Sequence, residues 1–373
     1  MNAIKIVKKS KVNLAHEDLT NLLKIVKFEK KGIYYDVGRT CYYQLKKPVT
    51  INNKKYTYLK IKGSGILEDD KINIFTDKEF VRIDPHYGFD ANNNPILVNS
   101  KPAPYGGILL DRAINEFDNF KLLISSGVSS LYPFCVFEYK NLNFNNQKLG
   151  VIVALSEEPY RFNKILFHNV PNNYVKFYKK VFYNEFSYNT DFSFEDKAKL
   201  IQRIAYKYAR EVKRMADCGL YIHSGGWSNI QYSFSDKNIV LVDLDSSLKN
   251  KLNKKILKYR DLISNIYRLF INLYNPDCIQ DYNDKIINET NYCYYLLKGY
   301  FNDTVDHKIL IEISNKINNY FIINCFNNIK RIENTMNHIS DQEVKKMELN
   351  IFKFYNYCMY LISNMIEGGD ENE

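Results

Sequence analysis

The segment that most constrains this chain runs from Asp217 to Leu248 and reads DCGLYIHSGGWSNIQYSFSDKNIVLVDLDSSL. Its pattern is a helix end, a loop, a short strand, a tight turn at Ser233–Lys237 and a second, apolar strand, Asn238–Val242. That order would bring Asn229 and Asp243 to adjacent strand ends. Their oxygens are hard donors of the kind that hold magnesium together with a substrate's phosphates. Taken alone, the segment reads equally well as a β-hairpin whose Asn and Asp cap local turns. The only tryptophan, Trp227, lies in the loop and is expected to anchor it by burial, with stacking on a base as the alternative. His223 in the same loop either stabilises it or packs beneath it as a structural histidine.

A metal–phosphate site of this type also needs a strand lysine for the phosphates and a helix glutamate to position that lysine. In the strand Tyr56–Lys62 a period of two puts Tyr58, Lys60 and Lys62 on one face and Thr57, Leu59 and Ile61 on the other. Lys62 directly precedes Gly63-Ser64-Gly65, and Lys60 is its rival on the same face. Glu116 lies in a segment whose Leu109, Ala113, Ile114, Phe117 and Phe120 recur at helical spacing, ended by Gly127. Either residue alone would be an ordinary surface charge. Their order (strand Lys, helix Glu, strand, long helix, Asn loop, Asp) carries the reading.

The remaining pattern gives the fold class. His16–Val26 is a helix, Gly32–Leu45 alternates as strands do, and Asn52-Asn53 marks a hairpin turn. Residues 66–104 are polar and rich in Asp, Asn and Pro, with brief strand pieces at Ile72–Phe75 and Phe80–Ile83, and read as an insertion or flap over a ligand. Leu131–Asn141 reads as a buried strand running into a polar linker, followed by the strand Leu149–Ser156. A long amphipathic helix starts at Phe194 behind an N-cap at Ser193, and Leu252–Leu273 is helical up to Asn275-Pro276. Strands with one helix come first and mostly helices follow, which is an α+β, two-lobed arrangement. The expected division is a β-rich lobe over residues 1–140, a helical lobe over 141–366 and a disordered tail over 367–373.

Composition narrows the function classes. The 52 basic and 42 acidic residues leave a net charge of +10, with the lysines spread out rather than clustered. This lends slight support to a phosphate-bearing ligand. No RNP, helix-turn-helix or zinc signature supports a nucleic-acid partner. The abundance of Tyr and Phe, 31 and 23 residues, is read mainly as the mark of an AT-rich genome. Seven scattered cysteines without a CxxC pair argue against a disulfide framework or a zinc knuckle. Neither a signal peptide nor a bilayer-spanning stretch is evident, so the expected location is the cytoplasm. The sequence leaves open delivery out of the cell by a route that needs no such signal.

Three stretches carry a family resemblance: LKIKGSG at Leu59–Gly65, PYGG followed by RAINEF within Pro104–Phe117, and the helix exit GVSSLYP. On these the chain resembles the protein-kinase-like fold and is most similar to the selenoprotein O family of pseudokinase adenylyltransferases. The block HSGGWSNI with VLVDLD also resembles small-molecule phosphotransferases. The resemblance covers residues 30–275 and implies a bilobal kinase-like fold using ATP with Mg2+ or Mn2+. It further implies Lys62 and Glu116 as the ion pair at the phosphates, with Gly63 and Gly65 beside the nucleotide. Asn229 and Asp243 would be the metal ligands, and Phe137, Glu138 and Tyr139 the hinge beside the adenine.

The chain departs from the kinase pattern in its loop. Ser224 stands where kinases have the base Asp, Ser228 precedes the metal Asn, and the loop is one residue short. The Asp-x-Gly signature reads Asp243-Leu244-Asp245, so that Asp245 becomes a base or a second metal ligand. The function expected is transfer of a phosphoryl or AMP group from ATP to a protein or peptide. The alternative is an inactive pseudokinase that binds nucleotide or acts as a scaffold.

Overall fold

The computed structural model describes residues 3–36, 39–79, 86–89, 95–98, 104–167, 169–221, 226–249, 254–273, 292–302, 304–325 and 341–367. The chain is a mixed α and β protein with an antiparallel sheet and eight α-helices among the described residues. It divides into two compact units, residues 1–84, 99–160 and 231–247 in the first, and 85–98, 161–230 and 248–373 in the second.

The first unit is built on one sheet. Its strands are β1 (Ile4–Lys9), β2 (Ile33–Asp36), β3 (Thr40–Ile51), β4 (Lys54–Lys62), β11 (Ile108–Leu109), β12 (Tyr132–Phe144) and β13 (Gln147–Ser156). The order is β1-β12-β13-β4-β3-β2, with β11 beside β13. Two-residue turns make the hairpins. Asn52-Asn53 joins β3 to β4 with φ of +49° and +65°, and Asn145-Asn146 joins β12 to β13 with +48° and +60°. Asparagine tolerates this left-handed geometry, which matches the twist of a hairpin. Between β4 and β11 lie short strands: β5 (Ile66–Glu68) paired with β6 (Lys71–Asn73), and β7 (Phe75–Glu79) paired with β10 (Pro104–Tyr105). β8 (His86–Phe89) and β9 (Pro95–Val98), from the same insertion, pair with each other and fall in the second unit.

Two helices complete the first unit. α1 (His16–Val26) buries Leu22, Ile25 and Val26 in the core that β3, β4, β12 and β13 supply. Each such side chain contributes roughly 1.5–3 kcal/mol by leaving water. The buried Asp18 fixes the helix in place by accepting from the Tyr43 hydroxyl at 2.9 Å and the Lys46 amide at 3.0 Å. α2 (Leu110–Ser125) packs on β12 and β13 through Ala113, Phe117 and Phe120, and it also buries Glu116 and Asn119. A last hairpin, β15 (Ile230–Ser233) with β16 (Asn238–Leu241), has most of its length in this unit. The Gln231 amide donates to the Tyr42 hydroxyl at 2.8 Å, and Leu241 bridges to Ser130. β16 is thereby held where its continuation, Val242 to Ser247, runs along α2.

Helices make up most of the second unit: α3 (Asn172–Phe186), α4 (Phe194–Asp217), α5 (Lys254–Leu273), α6 (Tyr292–Phe301), α7 (His307–Asn324) and α8 (Asp341–Ile366). α4 begins where the Ser193 side chain accepts from the Asp196 amide at 3.3 Å, the N-cap expected. β14 (Leu220–Tyr221) pairs with β17 (Leu248–Lys249). α4 and α6 cross closely at Gly299, where a Cβ would come within 2.0 Å of the Tyr206 carbonyl oxygen.

Several expectations are met and others need revision. The helices at His16–Val26 and Phe194 and the Asn52-Asn53 turn stand as read. The strand expected to end at Asn141 in a linker instead continues to Phe144 and turns directly into β13, so a boundary at 140/141 falls inside β12. The piece Phe80–Ile83 and the tail from 368 lie outside the described residues. No described helix is long and apolar enough to cross a membrane.

Candidate functional site

The charged centre of the first unit is Lys62, the last residue of β4, only 3% exposed. Its ammonium meets Glu116 of α2 at 2.8 Å and Asp245 at 3.2 Å, and also contacts Asp243. Of the two lysines on that strand face, Lys62 is the one joined to the helix glutamate. Arg39, just before β3, adds a second cation 3.1 Å from Asp245 and 4.0 Å from Asp243. Burial works against the Lys62 ammonium, but Asp243, Asp245 and Glu116 outweigh it and hold its pKa above the usual range. Burial also opposes ionisation of Asp245, and there Lys62 and Arg39 prevail and hold it below the usual carboxylate range. Lys62 and Asp245 are thus each held in the charged form by oppositely charged neighbours, as ions out of water must be.

The carboxylates arrive by a backbone route pinned to α2. Asp243 has φ +65°, a left-handed conformation uncommon for a residue with a side chain. Three α2 side chains then hold the segment after it. The Leu244 amide donates to Glu116 at 3.3 Å. Asn115 donates to the carbonyls of Asp245 and Ser247 at 3.0 and 2.9 Å, and Asn119 to those of Leu244 and Ser247 at 3.0 and 3.2 Å. Glu116 thus orients Lys62 with one oxygen and the Asp243-Leu244-Asp245 backbone with the other.

Carboxylate oxygens of Glu116, Asp243 and Asp245 lie within 4.8 Å of one another. This all-oxygen donor set suits a hard divalent ion such as magnesium. In the structure Lys62 and Arg39 neutralise the same oxygens, so a metal and these cations would share or exchange partners there.

Other sequence-derived residues stand elsewhere. Gly63 and Gly65 have φ of +91° and +87°, and their amides donate to the carbonyls of Arg39 at 2.7 Å and Gly106 at 3.0 Å. A Cβ on Gly63 would fall 2.4 Å from Ile108. These glycines turn the chain in a crowded place, and neither amide is left to cradle a phosphate. Phe137, Glu138 and Tyr139 lie inside β12, paired with Ile6, Lys5 and Ile4 on one side. β13 flanks the other side of β12, with Phe137 opposite Val151 and Glu138 opposite Gly150. A hinge beside an adenine needs a free backbone edge, and β12 has a neighbour on both; the Tyr139 hydroxyl donates to the carbonyls of Val26 and Gly63.

Asn229 and Trp227 belong to the second unit. Both are buried, in a 3-10 turn at Trp227–Asn229, as expected for the tryptophan. The Tyr208 hydroxyl of α4 accepts from the Gly226 amide at 2.9 Å and donates to Asn265 of α5 at 2.7 Å. Arg161 donates to the Ser228 carbonyl at 2.9 Å. His223 and Ser224 lie outside the described residues.

Sequence reading missed Arg39, Asn115 and Asn119. For the asparagines a signal existed. Asn115, Glu116 and Asn119 interrupt the apolar stripe of α2, and polar side chains facing a core need partners. Nothing in the sequence around Arg39 distinguishes it from other basic residues.

No family model matches the sequence, and no curated protein matches it either. Among solved structures, one described as WaaP in complex with acyl carrier protein covers 92% of this chain and 98% of its own, at 11% identity and a TM-score of 0.34. A glucosamine kinase in complex with glucosamine, ADP and inorganic phosphate covers 88% and 81% at 8% identity and a TM-score of 0.32. The second is a kinase by description, but overlap this loose carries no argument about this chain.

Proposed function

We propose that this chain is an ATP- and divalent-metal-dependent transferase of protein-kinase-like fold, moving a phosphoryl or AMP group onto a protein or peptide. The observation that carries this reading is the junction of Lys62, Glu116, Asp243 and Asp245, with the lysine held by the helix glutamate. Phosphoryl and nucleotidyl transfer depend mainly on positioning and charge neutralisation, which such a cluster supplies. A divalent ion bound to the carboxylates would neutralise charge on the phosphates.

Within this proposal each residue has a distinct task. Lys62 holds a phosphate oxygen, and Glu116 keeps it extended along β4. Asp243 is the metal ligand of this unit, and Asp245 is a second ligand or the acceptor of the incoming hydroxyl's proton. As the acceptor oxygen bonds to phosphorus, the bond to the departing phosphate breaks, releasing ADP in phosphoryl transfer or pyrophosphate in AMP transfer. Arg39 supplies a second positive charge beside the same carboxylates. The metal-ligand role of Asn229 rests on sequence order alone.

A second reading, a nucleotide-binding scaffold without turnover, draws on Ser224 and Ser228, which stand where an acid would be expected. General-base help is worth roughly 10²–10⁴-fold, so its loss slows a transferase without removing the binding site. Incubating the protein with α-labelled and with γ-labelled ATP, magnesium and candidate acceptors separates the cases. Protein-bound label from γ alone indicates phosphoryl transfer, and label from α indicates AMP transfer. Label from neither source, across acceptors and with excess metal, would sink both enzymatic versions and leave the scaffold.

A further inference from the structure

A second charged site lies wholly within the helical unit. Between α3, α4 and α6 there is an open groove of about 380 Å3. Lys199, Arg203 and Lys298 line it together with Phe186, Tyr206 and Tyr295, and among the described residues no acid does. The volume falls in the range of small-ligand sites.

The groove is built by close packing. At Gly299, α6 approaches the backbone of α4 at Tyr206, which sets Tyr295 and Lys298, on the preceding turn, beside Gln202 and Arg203. The Tyr206 hydroxyl donates to Asn302 at 3.2 Å and ties the two helices again. The cations are held in place. The Lys199 ammonium sits over the rings of Phe186 at 4.7 Å and Tyr188 at 5.0 Å and donates to the Tyr188 hydroxyl at 2.8 Å. The Lys298 ammonium lies 5.9 Å from the centre of the Tyr294 ring. Nε of Arg203 donates at 2.8 Å to Glu185, a carboxylate that also serves Lys207. The Arg203 side chain is 46% exposed, and a guanidinium has four further N–H donors.

Charge around the groove is one-sided. Of the three groove cations Arg203 is paired with an acid among the described residues, and that acid, Glu185, has its side chain buried against Arg203 and Lys207. Lys207 illustrates the excess: burial lowers its pKa, Glu185 raises it, and the positive charges of Arg203 and Arg210 lower it further. Three cations facing one opening exceed what a single carboxylate would neutralise. An Arg fork beside Lys point charges is the donor set that suits phosphate oxygens.

We propose that this groove binds a phosphate-bearing polyanion, its charged groups on Lys199, Arg203 and Lys298 and its body on the faces of Tyr206 and Tyr295. The site is independent of the transferase reading, because it uses none of the Lys62 cluster. The phosphate could belong to a soluble ligand or to the headgroup of an anionic lipid, and the test separates these sources.

Calorimetric titration of the full chain with inorganic tripolyphosphate probes the soluble form. Sedimentation with phosphatidylcholine vesicles, with and without a phosphoinositide, probes the lipid form. Saturable binding is expected in one of the two, and it weakens as salt rises. The double variant Lys199→Gln with Lys298→Gln should bind the same probe about tenfold more weakly while keeping wild-type helical circular dichroism, the loss expected for two charge-assisted contacts. If the double variant loses its helical signal, the single variants take its place, each binding several-fold more weakly. Binding of neither probe would overturn the proposal. So would binding that the groove variants leave unchanged, or that disappears only in Lys62→Met, which would place it in the other unit.

Discussion

The two charged regions of this molecule treat lysine in opposite ways. Lys62 is 3% exposed and has carboxylate partners, with two further α2 side chains holding the backbone that brings two of them. Lys199 is exposed and contacts rings and a hydroxyl but, among the described residues, no carboxylate. A buried charge survives only if its partners are fixed, so the fold itself depends on them. An exposed charge costs the fold little and remains available to a ligand. Substitutions in the first region should therefore register in stability as well as ligand binding, and those in the second in ligand binding alone.

The largest effect should come from Lys62→Met, which leaves Glu116, Asp243 and Asp245 crowded around Arg39 alone. Urea unfolding should show a loss of roughly 3 kcal/mol or more, the usual result of removing one partner of a buried ionic group. An unchanged midpoint would mean that the cluster is wet and relaxed, and the contrast between the regions would fall. Asn119→Ala comes next, since it removes one donor each from the Leu244 and Ser247 carbonyls, which keep only the Ser247 amide and Asn115 respectively. A loss of roughly 2 kcal/mol is expected in the same experiment, together with weaker metal binding as the Asp243–Ser247 backbone loosens.

Acid offers a subtler probe. The folded-state pKa of Asp245 is depressed below its unfolded value, so its contribution is present above about pH 4 and is lost as the pH falls through the folded pKa. Asp245→Asn should flatten that part of the stability–pH curve, and a curve of wild-type shape in the variant would remove Asp245 from the charged cluster. The smallest effect belongs to Lys199→Gln, whose unfolding midpoint should stay within roughly 0.5 kcal/mol of wild type. A larger loss would show that the helical unit depends on that side chain for folding.

Much of the architecture was legible because it rests on local signals. A helix at His16–Val26, the cap at Ser193 and the Asn52-Asn53 turn each announce themselves within a few residues. Asn145-Asn146 carries the same signal and was passed over because the strand before it ends in polar residues, which suggested a linker. The pairing of β1 with β12 involves residues more than a hundred positions apart and has no local trace. This is why nothing local to Phe137–Tyr139 spoke against a hinge there.

For the site, the order of residue types was enough to bring Lys62, Glu116, Asp243 and Asp245 forward. It could not show that Gly63 and Gly65 spend their amides on the chain itself, nor that Arg39 joins the cluster, because both depend on strand register.

The central claim, that the Lys62 cluster holds ATP and a divalent ion, is tested most directly by thermal unfolding with ATP, with Mg2+ and with both together, in the wild type and in Asp243→Asn. The account predicts a rise in midpoint that needs ATP and Mg2+ together and disappears in Asp243→Asn, because ligand binding to the folded state alone stabilises it. No rise in the wild type, or an equal rise in the variant, would contradict it.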